Sequence, residues 1–281
     1  MSSEKSPVGS PEMQLFKPGA PKIFSEHGRL HGLNFQPRSD DVFVASPPKC
    51  GSTWMQQILH QLRSGGDMSF DEINDVVPFL ESAYDTKRDL EAEHNFQPRS
   101  FFNFLNGWFF QPGKFSLHEF VEEYPLARGE PKSKMENASY FVHLMSWWEH
   151  RNDPNVLFFF YEDMKDDLES AVRKVASFIG IEDEEKIKKA VERSSFEFMK
   201  SNGEKFTPVR VAKYRNKICG FPEGAVGRIV ATGSATKGRE MMDEKTKEMI
   251  QAKWNDVVWK QTGFQDYQEL RNAFKKENEN K

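Results

Sequence analysis

Six consecutive residues, Lys49, Cys50, Gly51, Ser52, Thr53 and Trp54, bring a cation, a flexible turn, two hydroxyls and an indole into one short stretch. That set suits oxyanion chemistry. A lysine neutralises charge, hydroxyls and backbone N–H groups donate to oxygens, and an aromatic face accepts a flat ring. The flanks are what such a site needs. Val42, Phe43, Val44 and Ala45 form a short apolar run that predicts a buried strand, and Ser46-Pro47-Pro48 breaks it. Trp54, Ile58 and Leu62 then recur at helical spacing, with Ser52 and Thr53 expected to cap the helix they open. A strand, a tight turn and a helix N-terminus form an anion cradle, because first-turn N–H groups and the positive end of the helix dipole face one point. The plain alternative is a strand–turn–helix in which the polar residues only cap.

The order of residues in the loop separates nucleotide-binding classes. A nucleoside-triphosphate loop reads G-x-x-x-x-G-K-[ST], with lysine after the second glycine. Here Lys49 precedes Gly51 and no first glycine is present, so a P-loop nucleotide kinase is a weak alternative. Gly233 to Gly238 has the same glycine spacing, but Arg239-Glu240 replaces Lys-[ST] there. The stretch P-x-x-G-[ST]-[ST]-W instead resembles the 5′-phosphosulfate loop of cytosolic sulfotransferases. The resemblance covers about residues 20–274 and includes S-W-W-E-H-R-N-D-P-N-V-L-F-F-F-Y-E-D-M-K (Ser146 to Lys165) and S-S-F-E-F-M-K (Ser194 to Lys200). It implies transfer of a sulfuryl group from PAPS (3′-phosphoadenylyl sulfate), without a metal, to a hydroxyl or amine of a small apolar or aromatic acceptor.

The family's roles carry over residue by residue. Lys49 would stabilise the leaving phosphate, and Gly51, Ser52, Thr53 and Trp54 would hold the 5′-phosphosulfate and the adenine. Ser100 and Arg228 would take the 3′-phosphate, while Tyr161, Ser194, Phe196 and Met199 would hold the purine. On chemistry alone, a tyrosine closing a strand and a Phe/Met pair also suit a core. Val77-Pro78-Phe79-Leu80-Glu81 resembles the family's acceptor-pocket stretch, and a surface helix with one apolar side is the alternative.

Two departures stand out. Around Arg228 the arginine and Gly233 are kept, but the family's lysine and first glycine are lost, leaving Lys237 or Arg239 to supply charge. Between Arg99 and Ser100 the resemblance implies an internal deletion. The K-T-H segment with its catalytic histidine, the following core strand and a phosphate arginine are all absent, while both flanks match. Removing a proton from an attacking hydroxyl or amine suits a histidine near neutral pH. His94, nearest to the break, is a substitute candidate, and Arg99 could stand in for the lost arginine. A non-catalytic binder of PAPS, or of its product 3′-phosphoadenosine 5′-phosphate (PAP), is therefore the alternative function. A lost strand would also leave a sheet edge unpaired.

The remaining elements follow from pattern and bulk. The chain has 281 residues, a net charge of −4, 37% hydrophobic content and 25 Phe, enough for a large core without a global pull toward nucleic acid or an anionic membrane. Two cysteines give neither a disulfide framework nor metal spacing. With no signal peptide or long apolar run, the expected location is cytoplasmic, with a homodimer left open. Asn155 to Tyr161 predicts a second buried strand, and Glu162 to Ile179, Glu182 to Lys200 and Asp243 to Lys260 predict helices. Glu93 to Phe110 is an aromatic run expected as a buried helix or as a pocket insert. The fold class is α/β: a single P-loop-like domain over 21–274, with a central parallel sheet flanked by helices on both faces and one core strand missing. Residues 1–20 and 275–281 are expected as flexible and charged tails.

Overall fold

A computed structural model describes residues 25–47, 49–104, 118, 121–122, 126, 139–219, 221–227, 229–230 and 237–279. In chain order its main elements are α1 (Glu26–Leu33), β1 (Val42–Ser46), α2 (Ser52–Ser64), β2 (Ser100–Phe104), α3 (Tyr140–Trp148), α4 (Tyr161–Asp166), α5 (Leu168–Phe178), α6 (Glu184–Arg193), α7 (Phe196–Ser201), α8 (Val209–Cys219), α9 (Glu244–Trp254) and α10 (Tyr267–Glu279). They divide into two compact units, Met1–Gln111 with Leu168–Gly233, and Pro112–Asp167 with Ser234–Lys281.

The first unit is built on a parallel pair. β1 and β2 run in register from Val42 opposite Ser100 to Ser46 opposite Phe104. An isolated parallel bridge also joins Phe102, already opposite Val44, to Phe79. The aromatic run thus supplies a strand at Ser100–Phe104, where a helix or pocket insert was expected, and β1 has a neighbour despite the implied deletion. The physical reason is that Phe101 and Phe102, at 0% and 6% exposure, bury their rings only if this segment lies flat beside β1. Leu105 to Phe110 lies outside the described residues.

α2 packs on both strands, and α5 and α6 pack on α2. Every residue from Gln56 to Arg63 is buried. α1 lies against the helical turn Leu80–Ala83 through Gly28 and Gly32. A Cβ on Gly32 would come within 3.0 Å of the Leu80 backbone, so only glycine permits this approach. Val77, Phe79 and Leu80 are buried, so the acceptor-pocket stretch forms core here. Glu182 to Lys200 resolves into the pair α6 and α7, with Asp183 and Ser195 as N-caps.

The second unit buries Phe141, Leu144, Met145, Trp148, Phe160, Trp254, Val258 and Leu270 around α3, α9 and α10. Asn155 to Phe160 carries no strand, contrary to expectation. Its apolar residues are used sideways: Phe158 and Phe160 pack edge-on or tilted against Phe274 at 5.4 and 5.6 Å, and Phe158 against Trp148 at 6.1 Å. The predicted helix from Glu162 breaks at Asp167, whose φ of −147° and ψ of 87° end α4 before α5 begins. α10 continues to Glu279, where a tail was expected from 275. Met249, Ile250 and Val257 are half-buried and Trp254 buried, matching the core side read for that helix.

Candidate functional site

The loop after β1 turns through two left-handed residues, Lys49 at φ 66° and Gly51 at φ 90°. Gly51 accepts this without strain, whereas a lysine there costs energy, a feature that concentrates at binding sites. Gly51, not Ser52 or Thr53, is the N-cap of α2. Ser52 and Thr53 are the first helical residues, so their N–H groups have no intrahelical acceptor, and the glycine cap offers no side chain to them. The result is an open helix N-terminus with Lys49 two residues ahead of it. The Lys49 side chain reaches solvent. Desolvation by the surrounding protein nevertheless holds its pKa below the ordinary lysine value.

The structure brings a second group of expected residues to this helix. The Trp54 indole N–H donates to the Ser194 carbonyl at 2.6 Å, joining the first turn of α2 to the end of α6. Ser194 is fully buried, and its hydroxyl has no hydrogen-bond partner among the described residues. An unsatisfied buried hydroxyl is uncommon and calls for an explanation, such as a ligand that supplies the missing bond. Phe196 is half-buried with Lys200 over its ring at 5.6 Å. Met199 packs with Phe70, Ile73 and Phe206, and Trp54 lies against that cluster. Cys50, in the same loop, is half-buried and forms no disulfide.

Other expected residues stand elsewhere. Ser100 pairs with Val42, whereas the anion loop follows Ser46. At about 3.3 Å per residue, four residues of strand put Ser100 roughly 13 Å from the loop. Its hydroxyl is fully buried and donates to the Pro98 carbonyl at 3.1 Å. Ser100 is thus placed at the strand end away from the loop, with its hydroxyl already engaged. Parallel pairing with β1 carried it to the opposite strand end.

His94 is at that end too. Its Nδ1 accepts from the Ser100 N–H at 3.3 Å and lies 3.1 Å from Arg63 Nη1. Burial, then the charges of Arg63 and Arg99, push its pKa down to about 4. The ring is thus engaged with Arg63 and Ser100 at the strand end away from the loop. Arg99 is likewise committed: it grips Asp41 with bonds of 2.8 and 2.7 Å and does not face the loop. His27 stacks on Tyr84 and His31 lies tilted against it, and His60 is fully buried two turns along α2. Tyr161 begins α4 in the second unit, with burial and then Glu162 raising its pKa. Arg228 lies outside the described residues. Missed from the sequence were Gln57 and Arg63, polar residues wholly inside the core; their position on the apolar face of α2 was the available signal.

A family model described as a sulfotransferase domain matches residues 39–115 and 99–252. The chain belongs to the cytosolic sulfotransferase family. It is 30% identical over 236 residues to an amine sulfotransferase of Oryctolagus cuniculus, covering 69% of this chain and 75% of that one. To sulfotransferase 1E1 of Cavia porcellus it is 30% identical over 208 residues, covering 60% and 68%. Among solved structures it is similar to mouse sulfotransferase SULT7A1 complexed with PAP (TM-score 0.53, 20% identity, 84% and 90% covered). Retinol dehydratase in a complex with retinol and PAP matches with the same score and identity, over 84% and 88%. These likenesses establish the α/β, P-loop-like fold. Among the described residues, no helix is long and apolar enough to cross a membrane.

Proposed function

We propose that this sulfotransferase-family chain binds PAPS at the N-terminus of α2. The observation that carries the reading is the junction of two features on one helix. An uncapped helix start beside Lys49 suits oxyanions, and in the same first turn Trp54 is tied to a turn bearing an orphaned hydroxyl. PAPS supplies an activated sulfuryl group on an adenine nucleotide. The Ser52 and Thr53 N–H groups donate to the phosphosulfate end, and Lys49 offsets its charge. Trp54 and Phe196 offer the purine flat surfaces beside the Ser194 turn. The relatives that bind PAP support this donor class.

The family's reaction, transfer to a small apolar or aromatic alcohol, phenol or amine, is the activity of this lineage. The positions of Ser100 and His94 favour a second reading for the present chain, in which it binds the nucleotide and turns over poorly or not at all. No residue described near Lys49 removes the acceptor's proton. The 236-position alignment that occupies only 69% of this chain is in keeping with an internal deletion.

Thermal unfolding with PAP tests the binding. At a hundred times its dissociation constant, PAP should stabilise the chain by about 2.7 kcal/mol, while ATP with Mg²⁺ should leave the melt unmoved. An unmoved melt with PAP would overturn the reading, and a shift with ATP and Mg²⁺ alone would point to a kinase. Sulfuryl transfer from labelled PAPS to a phenol, an alcohol and an amine then separates enzyme from binder.

A further inference from the structure

Gln57 is a fully buried polar residue that no step above employs. It stands three residues after Trp54, on the same side of α2. Its amide N–H donates to the Arg193 carbonyl at 3.0 Å, and Trp54 takes the next carbonyl, that of Ser194. Two side chains of one helix therefore grip two consecutive carbonyls at the end of α6. Gln57 also lies 3.5 Å from Met68 Sδ, and Met68 packs against the cluster containing Met199. Arg193 in turn donates to the Gly66 carbonyl just beyond α2, so the segment held by Gln57 is fastened from a second direction.

We infer that Gln57 is a positioning residue for the nucleotide, holding the Ser194–Phe196 turn at a fixed offset from the anion loop. It acts through Trp54 and Ser194 and touches no ligand. The chemistry explains the arrangement. Phosphosulfate and purine are joined by a covalent spacer of set length, so both ends engage only if loop and turn keep their separation. One bond, that of Trp54, leaves the turn free to pivot; two bonds one helical turn apart remove that freedom. The inference rests on the donor reading above and adds a residue the family motifs do not mark.

Calorimetry on the full chain with two probes tests it. PAP requires loop and turn together, whereas inorganic sulfate requires the loop alone. In Gln57→Met, PAP affinity should fall roughly tenfold, the scale of one unmade hydrogen bond, while sulfate affinity stays as in the unsubstituted protein. Gln57→Leu, also without a donor, is read the same way if the Met variant melts without cooperativity. Equal losses for both probes would make Gln57 a general structural residue and overturn the inference, as would unchanged PAP affinity. Failure of the unsubstituted chain to bind PAP would instead remove the donor reading itself.

Discussion

Arg99→Ala should lower the stability of the chain by about 3–5 kcal/mol, the cost of leaving a buried carboxylate without its partner. The side chains of Arg99 and Asp41 are 1% and 0% exposed, and the fork is bidentate. Burial raises the Asp41 pKa, but the bonds from Arg99 and the Arg38 N–H outweigh it and hold the group below 3.8. A carboxylate so depressed contributes stability that is complete above its unfolded value and is lost as pH falls through the folded one. The gap between parent and variant in urea should therefore be constant from neutral pH down to about 5 and narrow below about 4. An unchanged midpoint at pH 7 would show that the pair contributes nothing. The substitution also tests the sequence expectation directly. Had Arg99 replaced the lost phosphate arginine, its removal would cost PAP affinity with little change in stability.

Lys49→Ala acts in the opposite sense, sparing stability and damaging the site. The side chain is exposed, so its loss opens no cavity, and removing a lysine side chain from a left-handed position does not add strain. A hydrogen bond to a charged group contributes about 1.5–3 kcal/mol, so PAPS affinity should weaken roughly ten- to a hundredfold. Any sulfuryl transfer should fall by at least about a hundredfold, the effect of deleting one group that faces developing charge. Raising the salt concentration should weaken binding to the parent more than to the variant, since part of the attraction is screened. Equal affinities at low salt would show that Lys49 is a turn residue only.

Local signals in the sequence were read well. The strand Val42–Ser46, the turn at Lys49 to Gly51 and the helix from Ser52 stand where they were expected, although only Val44 of the strand is buried and Phe43 is 40% exposed. Trp54 and Ser194, which the family motifs assign to one nucleotide, are neighbours in space, joined by a bond of 2.6 Å. What failed depended on pairing between distant segments. Ser100 follows Arg99 in the chain, but whether it faces the loop is decided by its register with Val42, and nothing near Ser100 encodes that register. Asn155 to Phe160 has a strand's composition, yet aromatic contacts with α3 and α10 took the side chains that a sheet would have used. His94 looked available because it is the histidine nearest in sequence to the break. Its neighbours in space are Arg63, Ser100 and Phe101.

The unequal burial along α2 sets up a clock. From Gln56 to Arg63 the helix is enclosed, so those amide hydrogens exchange with solvent only through large-scale opening of the first unit. The Ser52 and Thr53 amides have no intrahelical acceptor, and Thr53 is only half-buried, so this end exchanges faster. One helix thus carries a fast and a slow hand. Occupancy of the cradle would slow the fast hand alone, whereas general stiffening of the unit would slow both, so deuterium uptake along thirteen consecutive residues separates a bound anion from a merely steadier fold.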